Sequence, residues 1–300
     1  MPKPVFSPDL TTLCKPMLAL LMAASIGSAQ AIDLNKLLSG ENLNTAINIL
    51  SNAGDAAKAS SGNLGPEQED ALGRSVMANL LGAAPLVRDS ALQRYVNQVG
   101  RWVALQSDMP NLNWRFGVID SPNINSFAAA GGYILITRGL WDRLENEAEL
   151  ANVLAHEIIH VTRKHQIKAI ASSKTQLAGS QLISLIADYN SNKSYSKVGE
   201  KLGKAGSEIF VRGLDKNDEF EADQLGMQLA AKAGYNPYAM VSVLQLLGRV
   251  NPADSTVALM FSTHPSPQDR LNSIDSAIGD KLEPWAEGVE NTARFNQVKR

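Results

Sequence analysis

His156-Glu157-Ile158-Ile159-His160 decides the reading of this 300-residue chain. On a helix the two histidines stand one turn apart, so both imidazoles leave the same face with their Cβ atoms ~5–6 Å apart. That spacing suits two neighbouring ligands of one tetrahedral Zn²⁺. Glu157, beside the first ligand, is placed to act as general base on an attacking water. The chain holds only four histidines. Two of them bracketing a glutamate at this spacing weighs against a solvated helix face with incidental histidines.

A catalytic zinc takes three protein ligands and keeps one position open. After His160 the chain continues Val161-Thr162-Arg163-Lys164-His165-Gln166. The extended pattern HExxHxxGxxH needs Gly at 163 and His at 166, so the metzincin continuation is excluded. His165, five positions past His160, falls about 140° around a continued helix and is read as structural or surface. A carboxylate from a second helix remains. Asp218-Glu219-Phe220-Glu221-Ala222-Asp223 holds four acids, and helical spacing sorts them. Glu219 and Asp223 share one face, while Glu221 points roughly the other way. Glu219 is therefore expected as third ligand, with Asp223 orienting a ligand histidine through its free ring N–H. Alone, this run would be an ordinary acidic first turn; the upstream motif favours the ligand reading.

The fourth histidine, His264, precedes Pro265-Ser266-Pro267-Gln268-Asp269. Ser266 reads as an N-cap, Pro267 as the first helical residue and Asp269 as the acid two residues on. His264 thus sits on a loop before a helix. Three roles stay open: donor to a developing oxyanion, an extra ligand that closes the open position, or a ring bonded to backbone.

The surroundings are globular, with 44% hydrophobic and 19% charged residues. A formal charge of −2 without a basic cluster excludes nucleic acid as a partner. Lys3 and Lys15, the short apolar run Met17–Ile26, and small residues at Ala29 and Ala31 read as an export signal over 1–31, cleaved after Ala31. That run is too short to span a bilayer. The single cysteine, Cys14, would leave with it, which removes thiol chemistry and disulfides from the exported chain. No later apolar run approaches a membrane span, so a soluble exported protein is expected.

Residues 32–65 read as a helical lead-in and linker. Helical spacing follows over 67–81 and 90–105, the latter with Leu92, Tyr95, Val96, Val99 and Val103. Trp114–Ile119 alternates like a strand. Ala130–Thr137 reads as another, opened by Gly131 and Gly132. Such a pair lets a second backbone approach closely. The strand could take up an extended peptide or be an ordinary strand with a tight start; both stand. Leu144–Gln166 reads as the helix carrying the motif, with acids in its first turn and bases in its last. Further helices are expected over 176–189, 218–233 and 238–250. The polar piece 190–206 is a flap or a surface loop.

Jointly these motifs resemble the M48 peptidases, whose His-Glu-x-x-His helix is followed by a Glu-x-x-x-Asp helix. Here those are His156–His160 and Glu219–Asp223. Asn125–Leu140 resembles the family's Asn-Ala-Phe-Ala-x-Pro-Gly-Gly segment, with Ser126 for Ala and Ala130 for Pro, changes expected to touch little of the chemistry. Thr263-His264-Pro265 followed by Arg270 resembles its C-terminal signature. The resemblance covers about residues 66–275, leaving 276–300 as a tail. It implies an α+β, mostly helical, zincin-type (gluzincin) fold with a small sheet and one Zn²⁺ per chain. It implies an endopeptidase in which Glu157, His264 and Asp223 serve catalysis and Arg270 helps hold the oxyanion. Gly131, Gly132, Tyr133 and Ile134 would form the edge strand that holds substrate. The chain looks like the exported, soluble branch without a tetratricopeptide extension. Expected substrates are misfolded or unassembled cell-envelope polypeptides in the periplasm, with docking on a membrane or partner left open. The alternative is a latent or chaperone-like periplasmic zinc protein.

Overall fold

In the computed structural model, which describes residues 64–172, 213–251 and 254–299, two helices come first: α1 (Pro66–Ala83) and α2 (Ser90–Ala104). The expected export signal, most of the lead-in, the helix at 176–189 and the polar piece 190–206 lie outside the described residues. Asp89 caps α2 by accepting from the amides of Ala91 and Leu92. Leu92, Tyr95, Val96, Val99 and Val103 are all buried, as their helical spacing requires.

Strands β1 (Arg115–Ile119), β2 (Ser126–Ala129) and β3 (Tyr133–Thr137) form one sheet in the order β1-β3-β2. β1 runs parallel to β3, with Phe116 opposite Ile134, and β2 runs antiparallel to it, with Phe127 opposite Leu135. This order corrects the expected edge strand. β3 is central and paired on both sides, so Gly131, Gly132, Tyr133 and Ile134 cannot receive a substrate strand. Gly131 (φ 77°) and Gly132 (φ 88°) make the turn from β2 into β3, a conformation side chains resist. The backbone that Gly131 admits belongs to α1, since a Cβ there would stand 2.7 Å from Asp70 Cα. The Tyr133 hydroxyl donates to Asp70 at 2.9 Å, and Ile134 is fully buried. Among the described residues no strand pairs with the outer side of β2, whose Phe-Ala-Ala run shows no period-2 alternation to announce it.

After the short α3 (Arg138–Trp141) comes α4 (Glu147–Thr162), which carries the motif. Asn146 caps it by accepting from the Glu149 amide. Every residue from Glu147 to Val161 is buried, so this is a core helix without a solvent face. The expected single helix through Gln166 is interrupted. Lys164 takes a positive φ of 57°, and α5 (His165–Ser172) starts in a new direction. The Lys164 ammonium lies 2.6 Å from the buried carboxylate of Glu69 on α1. Sequence does not announce the break, because Arg and Lys are good helix formers.

The remaining helices are α6 (Lys216–Lys232), α7 (Ala239–Gly248), α8 (Ala258–Thr263), α9 (Pro267–Ala277) and α10 (Thr292–Lys299). Among described elements, α4 packs most extensively against α6. Gly226 permits the approach: a Cβ there would stand 3.0 Å from the backbone nitrogen of His156. α9 begins as its sequence predicts, with the Ser266 hydroxyl accepting from the Asp269 amide at 3.1 Å.

The stretch after 275, expected as a tail, completes the core. Phe295 is fully buried with its ring centre 4.6 Å from that of Trp141. Glu147, first residue of α4, accepts from the hydroxyl of Tyr235 and the amide of Asn291, each at 2.8 Å, and pairs with Arg294. Phe295→Ala is expected to destabilise the chain by ~3–5 kcal/mol, as for other buried aromatics. Urea unfolding of the purified chain measures it, and an unchanged midpoint would show that α10 is not part of the cooperative unit.

Candidate metal centre

Two buried turns of α4 and one of α6 meet at the centre. His156 and His160 present their Nε2 atoms 2.9 Å apart. Glu219, fully buried in the first turn of α6, places its carboxylate 3.7 Å from His156 Nε2 and 3.5 Å from His160 Nε2. Donor atoms on a tetrahedral ion with bonds of ~2.0–2.1 Å stand ~3.3–3.4 Å apart, and the three separations bracket that edge.

Proton accounting leads to the same fit. The ring N–H of His156 at Nδ1 donates to Asp223 at 2.9 Å, which leaves Nε2 a bare lone pair. Asp223 is itself held by Arg270, whose Nε donates to its other oxygen at 2.8 Å. Nδ1 of His160 lies 2.9 Å from Nδ1 of His165. If His160 donates there, its Nε2 is bare as well, and His165 keeps its proton on Nε2, facing Glu221 at 3.3 Å and Asp218 at 3.6 Å. Oε1 of Glu219 is buried without a hydrogen-bond partner. With His160 so oriented, its Nε2, that of His156 and Oε1 of Glu219 converge with no donor between them among the described residues, an arrangement a cation satisfies. His165, Asp218 and Glu221 also cluster closely enough for an ion, but that use would take the His165 Nε2 proton on which His160 as a ligand depends.

Electrostatics agree. Burial holds the His160 ring well below its usual pKa, hence neutral. Burial would raise Glu219, yet His264 beside its carboxylate holds it well below the carboxylate range. Burial lowers His156, but the Asp223 carboxylate more than offsets this and makes the ring more basic. Burial raises Glu157, the direction that makes a carboxylate a stronger base.

Glu157 lies beside the centre, and its carboxylate accepts from the Ser126 hydroxyl at 2.7 Å. The serine that departs from the family pattern therefore bears on the base, contrary to expectation. His264 directs Nδ1 at the Glu219 carboxylate, 2.5 Å away, so its ring is not spent on backbone. Arg270 is corrected from a substrate contact to a support. It is buried and forks onto Asp223, and it does not line the cleft that holds Glu157, His160 and Glu219. Of the two readings of His165 the surface one is corrected: it is fully buried and meets His160, because the chain turns at Lys164.

A cleft opens at the centre, lined by β2, Glu157, His160, Glu219 and His264, with Val161, Ile167 and Leu214 on its apolar side. Gly131, Gly132, Tyr133 and Ile134 do not line it.

Against known families, residues 90–278 match peptidase family M48. The chain belongs to this family. The M48 match takes in α2 through α9, with α1 preceding it. Among similar proteins is the beta-barrel assembly-enhancing protease of Yersinia pestis, 29% identical over 225 residues that cover 73% of this chain and 45% of that protein. A putative beta-barrel assembly-enhancing protease of Vibrio cholerae is 31% identical over 212 residues, 68% of this chain and 43% of that one. The mitochondrial metalloendopeptidase OMA1 of Arabidopsis thaliana is 27% identical over 190 residues, 63% of this chain and 36% of that one. The chain thus spans less than half the length of these relatives.

Proposed function

We propose that this M48 chain is a zinc-dependent endopeptidase that cleaves misfolded or unassembled cell-envelope polypeptides in the periplasm. The observation that carries the reading is the convergence of His156, His160 and Glu219 beside Glu157, in a cleft bounded by a strand edge that is unpaired among the described residues. His156, His160 and Glu219 would hold the zinc. Bound there, it supplies Lewis acidity that polarises the scissile carbonyl and makes the attacking water more acidic. Glu157, oriented by Ser126, takes the water's proton and delivers it to the leaving amine. With Nδ1 on Glu219, His264 has Nε2 left to meet the developing oxyanion. Asp223 and Arg270 fix the tautomer of His156.

The envelope substrate rests on two supports: the export signal read over 1–31, and relatives named for enhancing β-barrel assembly. Among the described residues no helix is long and apolar enough to cross a membrane.

Digestion of unfolded casein by the purified chain from Ile32 tests the activity. Cleavage is expected to stop when a chelator removes the metal and to return when zinc is added back. A zinc-loaded chain that binds casein and leaves it intact would overturn this reading in favour of the latent, chaperone-like alternative.

A further inference from the structure

Along β2 the ladder alternates. The Thr137 amide donates to the Asn125 carbonyl, so Asn125, Phe127 and Ala129 face β3, while Ser126, Ala128 and Ala130 turn their backbone groups to the free edge. The last outward amide on that edge, Ala130 N–H, donates to Oε1 of Gln166 at 3.1 Å. Gln166 is only 6% exposed, lines the cleft, and its Nε2 has no hydrogen-bond partner among the described residues. A carboxamide has the donor and acceptor set of a peptide group. Here its oxygen caps the edge of β2, and its NH₂ is left buried beside the cleft without a partner among the described residues. An unsatisfied buried donor is costly unless a partner arrives.

Resting on the endopeptidase reading, we propose that Gln166 is a substrate-binding residue that extends the edge of β2 by one peptide-like unit and donates Nε2–H to a main-chain carbonyl of the bound polypeptide. A polypeptide added antiparallel to β2 runs from the Ala130 end toward Ser126, which touches Glu157. Its residues before the scissile bond therefore lie toward Gln166. Four strand residues cover ~13 Å, so Gln166 meets a carbonyl roughly three or four residues upstream of the cut. The contact is to backbone, so it selects for an extended chain of sufficient length and not for side chains. That suits unfolded substrates of varied sequence.

The test measures peptide binding by fluorescence anisotropy to the full zinc-loaded chain carrying Glu157→Gln, which removes turnover. Two peptides are used: a casein segment cut by the active chain, and the same segment trimmed to two residues before the cut. Gln166→Glu keeps an acceptor for Ala130 N–H and replaces the donor with a carboxylate that opposes a carbonyl. Gln166→Met removes donor and acceptor without adding charge, which covers a failure of the glutamate variant to fold. Each should weaken the long peptide about tenfold and leave the trimmed one unchanged, so the two affinities converge. Equal weakening of both peptides, or no change in either, would overturn the proposal while leaving the endopeptidase reading intact. If the chain carrying native Glu157 and Gln166 neither cut nor bound any casein segment, the endopeptidase reading would fall, and this one with it.

Discussion

Glu157→Gln should lower kcat on an unfolded protein by a factor on the order of 10²–10⁴, the range general acid–base catalysis supplies, while zinc content stays at that of the native chain. The substitution keeps the size and an oxygen that can accept from the Ser126 hydroxyl, now 2.7 Å from the carboxylate. It removes only the ability to take a proton. Glu157 is 3% exposed and burial raises its carboxyl, so the neutral amide also relieves a desolvation cost. The thermal midpoint should hold or rise. Steady-state kinetics beside elemental analysis of the same samples measures both halves. Undiminished cleavage would refute the role of Glu157. Loss of zinc together with activity would mean that the side chain supports the metal centre and not the proton transfer. Ser126→Ala, which leaves the carboxylate in place and removes its hydroxyl partner, should have a smaller effect of the same kind.

What was legible in the sequence was whatever depends on spacing along one helix. His156, Glu157 and His160 lie within one turn, and Glu219 with Asp223 within another, so period alone places each set on one face. Their meeting was inferred from chemistry, because a zinc with two histidines needs a third ligand. The N-cap at Ser266 was legible for the same local reason. What failed was tertiary. β3 lies inside the sheet because β2, an apolar run without alternation, pairs on its other side. Gly131 and Gly132 did signal a close backbone, but nothing in their identity said that the backbone was α1. His165 was placed by continuing a helix that ends at Thr162, and the turn at Lys164 brings it onto His160 instead. Arg270 stood correctly near the centre in sequence pattern, but its buried partner on α6 decides its role. Residues 276–300 read as a tail, yet the Phe295 ring packs against Trp141 and Tyr95.

Glu219→Gln should abolish zinc retention and activity together, whereas Glu221→Gln should leave both close to native. The two acids are two positions apart on α6, equal in chemistry and opposite in setting. Glu219 is fully buried, and its Oε1 has no other partner among the described residues; the Glu221 side chain is 43% exposed and pairs with Arg163 at 3.3 Å. Replacing a ligand carboxylate with an amide removes a full charge from a buried centre. Loss of a supporting group alone already costs roughly 10–100-fold in metal affinity, so loss of a ligand should exceed about a hundredfold. Asp223→Asn should fall between, since an amide oxygen can still accept from His156 while the charge that balances Arg270 is gone. Glu221→Gln keeps an oxygen for the N–H of His165 and gives up only a solvent-screened ion pair, worth little by itself. Competition with a chromogenic zinc chelator ranks the three variants without any activity assay. Zinc held normally by Glu219→Gln and lost from Glu221→Gln would reverse the assignment of the third ligand. It would also require α6 to turn by about half a circle, away from the packing that brings Gly226 against His156.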